Sequence, residues 1–176
     1  NNIYFPPSSI FRFSGNTTTD ISQSITGTNT ATFFDRLEIA KGGGYLQLKH
    51  WVLQVYSEVR FISGLFDLNS NALYLMSSQN SNHAGAFLSG ESELSRITGG
   101  LVVALSRNLP ANSTTDPANL GLVISTVDCK NINIYRGHIP RTGNIGNGTS
   151  ISRYYDITHG GWTGVNCNDS DFYAPV

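Results

Sequence analysis

The sequence predicts an all-β chain: a right-handed parallel β-solenoid (β-helix) followed by a less regular β region, with an antiparallel β-sandwich as the alternative. Three observations carry this. Between Phe33 and Leu75 one short phrase recurs, two apolar residues flanking a single position: Leu37/Ile39, Leu46/Leu48, Leu53/Val55, Val59/Phe61, Phe66/Leu68 and Leu73/Leu75. Successive pairs start 9, 7, 6, 7 and 7 residues apart, so every third pair recurs after roughly twenty. That beat is too short for a helix per unit and suits a three-residue strand with a corner. Three such strands make one coil, and inward positions of successive coils stack into a continuous core. Second, no segment sustains helical periodicity over three turns. Third, the polar set is dominated by Asn, Ser, Thr and Gly, with 18 glycines spread along the chain. The right hand follows from the general preference of parallel crossovers.

The elements follow in order. Ile3–Phe5 and Ile10–Phe13 alternate apolar and polar residues and read as strands leading into the repeat, as do Ile21 and Ile25 in Thr/Ser-rich text. Gly15-Asn16 and Gly27-Thr28-Asn29 punctuate them. Within the repeat, turns are expected at Gly42-Gly43-Gly44, Ser63-Gly64 and Asn69-Ser70-Asn71. Residues 76–86 form a polar loop. Further strand candidates are Phe87-Leu88, Ile97, Leu101–Leu105, Leu120–Ile124, Ile132–Ile134 and Ile151–Ile157. The stretch from Asn108 to Asn119 contains Pro110 and Pro117, which lack an amide donor and so exclude it from a central ladder. The expected division is a solenoid over residues 1–106 and an irregular β region over 107–176, the latter as the start of a following domain.

Charge excludes some function classes. Eleven basic and 12 acidic residues leave a formal charge of −1, and charged residues make up only 13%. Such a chain attracts neither a nucleic-acid backbone nor an anionic membrane in bulk. No apolar run approaches the length of a membrane span. The chain starts at Asn1 without Met or signal peptide, which reads as a mature or excised segment of an exported protein.

Several blocks in fixed order carry a resemblance. They are Phe34-Asp35-Arg36-Leu37-Glu38-Ile39-Ala40-Lys41, Ser63-Gly64-Leu65-Phe66-Asp67-Leu68-Asn69, Ser89–Gly99, Asn119-Leu120-Gly121-Leu122, Arg136-Gly137-His138 and Ser150–Ile157. Together they cover most of residues 24–158, and the chain resembles the repetitive β-rich, adhesin-like cell-surface proteins of Bacteroidota. The resemblance implies a large secreted protein carried out by the type IX secretion route, of the kind that includes gliding-motility and other adhesins. It implies an extracellular, cell-surface location and a structural, adhesive or filament-forming role without catalysis. The implied partners are other copies or adjacent domains of a larger surface protein, with glycans as a further class. Residues His159 to Val176 and the two cysteines depart from the family's pattern.

The residues themselves offer few sites. His50, His83, His138 and His159 lack metal-ligand spacing, and His138 reads as a structural contact near a turn. A carbohydrate-active β-helix enzyme, or a glycan-binding module, is the alternative function. An enzyme would cluster acidic and basic residues on one face of neighbouring rungs. Asp35, Arg36, Glu38, Glu58, Arg60 and Asp67 lie about a rung apart, but alternation puts Arg36 and Glu38 on the solvent face. Glu91, Glu93 and Arg96 suggest a local ion-pair set, and Asn168–Asp171 lacks the spacing of a Ca²⁺ loop. No catalytic, cofactor-binding or metal residue is therefore assigned. Trp51 and Trp162 are the candidate contacts for a glycan or partner. Cys129 and Cys167 are the candidate disulfide in an oxidising compartment, with two unrelated thiols as the alternative.

Overall fold

The computed structural model describes residues 8–15, 22–27, 31–77, 85–109, 113–126, 129–139 and 153–159. Ile3–Phe5, Trp162 and Cys167 lie outside them, as do His83 and residues 141–150. The fold is all-β. Its strands are β1 (Ile10–Gly15), β2 (Ser22–Ile25), β3 (Thr32–Leu48), β4 (Val52–Asp67), β5 (Ala72–Leu75), β6 (Phe87–Ser89), β7 (Ile97–Thr98), β8 (Leu101–Leu109), β9 (Ser113–Thr115), β10 (Ile124–Thr126), β11 (Cys129–Gly137) and β12 (Tyr154–His159). The one helical element among the described residues is a 3₁₀ turn, Pro117–Asn119.

One mixed sheet holds nearly all of these strands, in the order β1-β3-β4-β5-β8-β11-β12. From β1 to β8 every pairing is parallel, so this stretch is not an antiparallel sandwich. The register aligns the apolar pairs by threes. Leu37 and Ile39 of β3 lie beside Val59 and Phe61 of β4, and Leu46 lies beside Phe66, twenty residues on. Leu53 and Val55 sit beside Leu73 and Leu75, and these beside Val102 and Ala104. All are buried and belong to one core. Each fully buried side chain of this size contributes about 1.5–3 kcal/mol relative to exposure.

Three corners explain where the strands bend. Gly42-Gly43-Gly44 does not end its strand: the partner of Ala40 is Ser63 and that of Tyr45 is Leu65, so the three glycines bulge out of a ladder that resumes after them. Gly64 has φ +86°, and a Cβ there would strike the Lys41 carbonyl in the neighbouring strand. At Leu68–Asn71 the Asn71 amide donates to the Leu68 carbonyl across Asn69 and Ser70, both with positive φ, which is the signature of a type I′ turn. The side-chain amide of Asn71 bridges the corner by donating to the Leu48 carbonyl at 2.9 Å.

At β8 the direction changes. Its second edge pairs antiparallel with β11, and β11 pairs antiparallel with β12. Bulges at Ser106 and Asn131, both with positive φ, are covered by asparagine side chains: Asn133 accepts from the Ser106 amide and Asn108 from the Asn131 amide. The sheet and core run on across position 106, with Leu109, Leu120, Ile132 and Ile134 packed with the earlier apolar pairs. Leu120 and Leu122 reach the core from irregular backbone, so only Ile124 of that predicted strand begins one. The strand expected over Ile151–Ile157 is observed as Tyr154–His159.

Candidate functional site

Two charged constellations arise from the fold. The first lies on the outward face of the parallel strands. Parallel register puts Arg12, Glu38 and Arg60 side by side, and Arg36 beside Glu58. Arg12 meets Glu38 at 2.6 Å, Arg60 reaches it at 3.7 Å, and Arg36 meets Glu58 at 3.0 Å. Ser89 donates to Glu58, and Ser57 and the Ser8 amide donate to Asp35. Alternation alone predicts Glu38 to be solvated. It points outward yet is only 3% exposed, because the two arginines on neighbouring strands cover it. Asp67 belongs to a different corner, accepting from the Gln47 amide and the Asn69 backbone amide.

The second constellation is a crevice of about 400 Å³ between the turn after β6, the loop around the 3₁₀ turn, and the residues around β11 and β12. Its centre is Arg136, completely buried. Two of its nitrogens hold the Glu91 carboxylate at 2.7 and 2.9 Å, one also donates to the Leu120 carbonyl, and Nε donates to His138 Nε2 at 3.0 Å. Glu91 thus pairs across 45 residues rather than with its neighbour Arg96, which bonds Glu93 instead. Gly90 places Glu91: its φ is +71° and a Cβ would hit the Phe61 carbonyl.

The loop is locked by Asp116, whose carboxylate accepts from the Gly121 and Leu122 amides at 2.9–3.3 Å. Asn119 donates its side-chain amide to the Leu88 carbonyl, and the Tyr155 hydroxyl donates to the Leu120 carbonyl at 2.7 Å. Tyr154 lies over Gly137, where any Cβ would strike its ring. Blocks far apart in sequence, around Glu91, Leu120, Arg136 and Tyr155, therefore close on one another.

The electrostatics follow from this packing. Burial pushes the Glu91 carboxyl up, but the hydrogen bonds and charge of Arg136, with the Ile97 amide, outweigh it and hold the group below its ordinary value. Burial, then the adjacent Arg136 charge, lowers His138 to about 4. Because Nε2 accepts from Arg136, the His138 proton sits on Nδ1. Neither group is held near neutrality, where a general acid or base works best.

The predicted contact residues fall elsewhere. Trp51 stands at the corner between β3 and β4, 60% exposed and 6.3 Å from the His50 ring, and is not among the residues lining the crevice. His50 is buried, with Nδ1 2.9 Å from the Val52 carbonyl. Cys129 begins β11, while its expected partner Cys167 lies outside the described residues. No group of three or more His, Cys, Asp or Glu able to hold a metal occurs among the described residues, and no helix there is long and apolar enough to cross a membrane. No family model, curated protein or solved structure matches the chain.

Proposed function

We propose that this chain is a non-catalytic structural or adhesive segment of a large extracellular bacterial protein, built as a right-handed parallel β-solenoid. The observation that carries the reading is the register. Parallel neighbours are offset by 20 residues at Leu53/Leu73 and by 22 at Leu37/Val59, with inward apolar pairs aligned and outward charges alternating in sign. A chain that coils on itself in this way presents long stacked faces. Other copies or adjacent domains of the same protein are the natural partners, since β1 carries no second strand partner among the described residues. Cell-surface location, type IX export and a Bacteroidota source belong to this proposal through the resemblance of the sequence blocks.

The alternative, a carbohydrate-active β-helix enzyme, needs carboxylates available to a substrate. Asp35, Glu38 and Glu58 are each engaged by neighbouring strands, which favours the structural reading. The test has two arms. Electron microscopy of the purified chain should show end-to-end assemblies, or labelled chain should adhere to cells or immobilised glycans. Release of new reducing ends from a polysaccharide panel, or failure of both assembly and adhesion, would overturn the proposal.

A further inference from the structure

The crevice around Arg136 has a hydrogen-bonding inventory that is unequal between donors and acceptors. Its two inward carboxylates are spent: Glu91 on Arg136 and the Ile97 amide, Asp116 on the Gly121 and Leu122 amides. Arg136 is spent as well, on Glu91, Leu120 and His138. Glu93 extends fully into solvent, where among the described residues it engages only Arg96. What remains open is cationic. Among the described residues, Arg96 uses one of its terminal nitrogens, and Arg153, exposed beside Gly121, makes no hydrogen bond or ion pair. A guanidinium carries five N–H donors in a fork that fits an oxyanion. With the inward carboxylates committed, no group of ligands for a metal ion remains among the described residues, whereas an anionic group finds two guanidinium groups.

The rest of the wall narrows the body that carries the anion. Among the described residues, Leu88 is its one apolar side chain and no aromatic ring lines it. A nucleobase or an apolar side chain therefore gains little. Ser92 and the side-chain oxygen of Asn119, whose amide nitrogen is used on Leu88, offer hydrogen bonding suited to hydroxyl groups. The volume of about 400 Å³ is that of a small-ligand cleft. We propose that this crevice binds an acidic saccharide, with its carboxylate held by Arg96 and Arg153 and its hydroxyls by Ser92 and Asn119. The proposal goes beyond a structural role and rests on the crevice alone, so it stands or falls separately from filament formation.

Titration calorimetry on the whole chain tests it with three probes: digalacturonate, the neutral disaccharide galactobiose, and inorganic sulfate. Digalacturonate should bind at least about tenfold more tightly than either of the others, as expected for charge-assisted hydrogen bonds added to hydroxyl contacts. Arg153→Gln and Arg96→Gln should each weaken it about tenfold, and Arg153→Lys should restore part of the loss. Both arginines are at least partly exposed, so the thermal midpoint should stay unchanged and serve as the folding control. No binding of digalacturonate, equal binding of galactobiose, or indifference to Arg153→Gln would overturn the proposal. Sulfate bound as tightly as digalacturonate would overturn it too, by reducing the crevice to a general anion site.

Discussion

Individual residues in this fold are constrained by the strand beside them more than by their sequence neighbours. Two glycines make the point. Gly64 sits at φ +86° against the Lys41 backbone, whereas Gly42, in the run that bulges from β3, is exposed and has no positive φ. Gly64→Ala should destabilise the chain by about 1–3 kcal/mol, and Gly42→Ala should fall within about 0.5 kcal/mol of the parent, as measured by urea unfolding. Equal effects would mean that Gly64 is free to rearrange. His138 makes a second residue-scale prediction. Its pKa falls from 6.5 to about 4 on folding, so between those values the unfolded chain binds more protons. The stabilisation is complete above pH 6.5 and is lost as the pH falls toward 4, no more steeply than about 1.4 kcal/mol per pH unit for this group. Glu91, held below its ordinary 4.5, extends the loss to lower pH in the same direction. Urea midpoints should drop from pH 7 to pH 5, and His138→Asn should flatten that drop. A parent protein with no drop would contradict the partly buried neutral imidazole.

At the scale of strands, parallel register turns sequence offsets into ladders, and like charges directly opposed would repel. The order Arg12, Glu38, Arg60 avoids this and buries the carboxylate between two guanidinium groups. Glu38→Gln removes the anion both arginines face and should cost about 1–3 kcal/mol. Arg60→Gln, at an exposed contact of 3.7 Å, should cost under about 1 kcal/mol. A larger loss from Arg60→Gln would show that the ladder is held from the other side. This scale also sets what the sequence makes legible. The apolar pairs announce their strands and their alignment by threes, because inward positions repeat with a simple period. The crevice does not announce itself. Glu91 looks like the partner of Arg96, five residues on, and only the antiparallel return of β11 brings Arg136 to it across 45 residues. His138 is legible as a contact near a turn but not its lowered pKa, which depends on burial beside that same arginine. Glu91, Leu120–Gly121, Arg136–His138 and Arg153–Tyr155 share no sequence spacing that marks them as connected, because strand pairing rather than sequence distance brings them together.

For the whole molecule the two ends of the sheet differ. At one end β1 presents its outer edge with Ile10 and Phe11 exposed and with Arg12 on the outward face. At the other, β8 is covered by β11 in the antiparallel sense, and β12 lies outside that. A parallel stack propagates by adding another strand in register, so an antiparallel pair stops propagation while satisfying the backbone groups of β8. The hold is reinforced away from the sheet by Arg136 on Glu91 and by Tyr155 on the Leu120 carbonyl. Parallel addition to the stack should therefore occur at the β1 edge and not at β8 in the intact chain. Truncation after Leu109 removes β9, the 3₁₀ turn and β10 as well as β11 and β12, baring the β8 edge together with the core surface that Leu120, Leu122, Ile124, Ile132 and Ile134 cover. In sedimentation velocity at matched concentrations, the truncated chain should form larger species than the intact one while keeping its strand content by circular dichroism. If it stays the size of the intact chain with that content preserved, the antiparallel pair is not what guards this end. If strand content collapses instead, β11 and β12 are part of the cooperative core, and the same comparison made with Ile134→Lys in the intact chain separates exposure of the edge from loss of the fold.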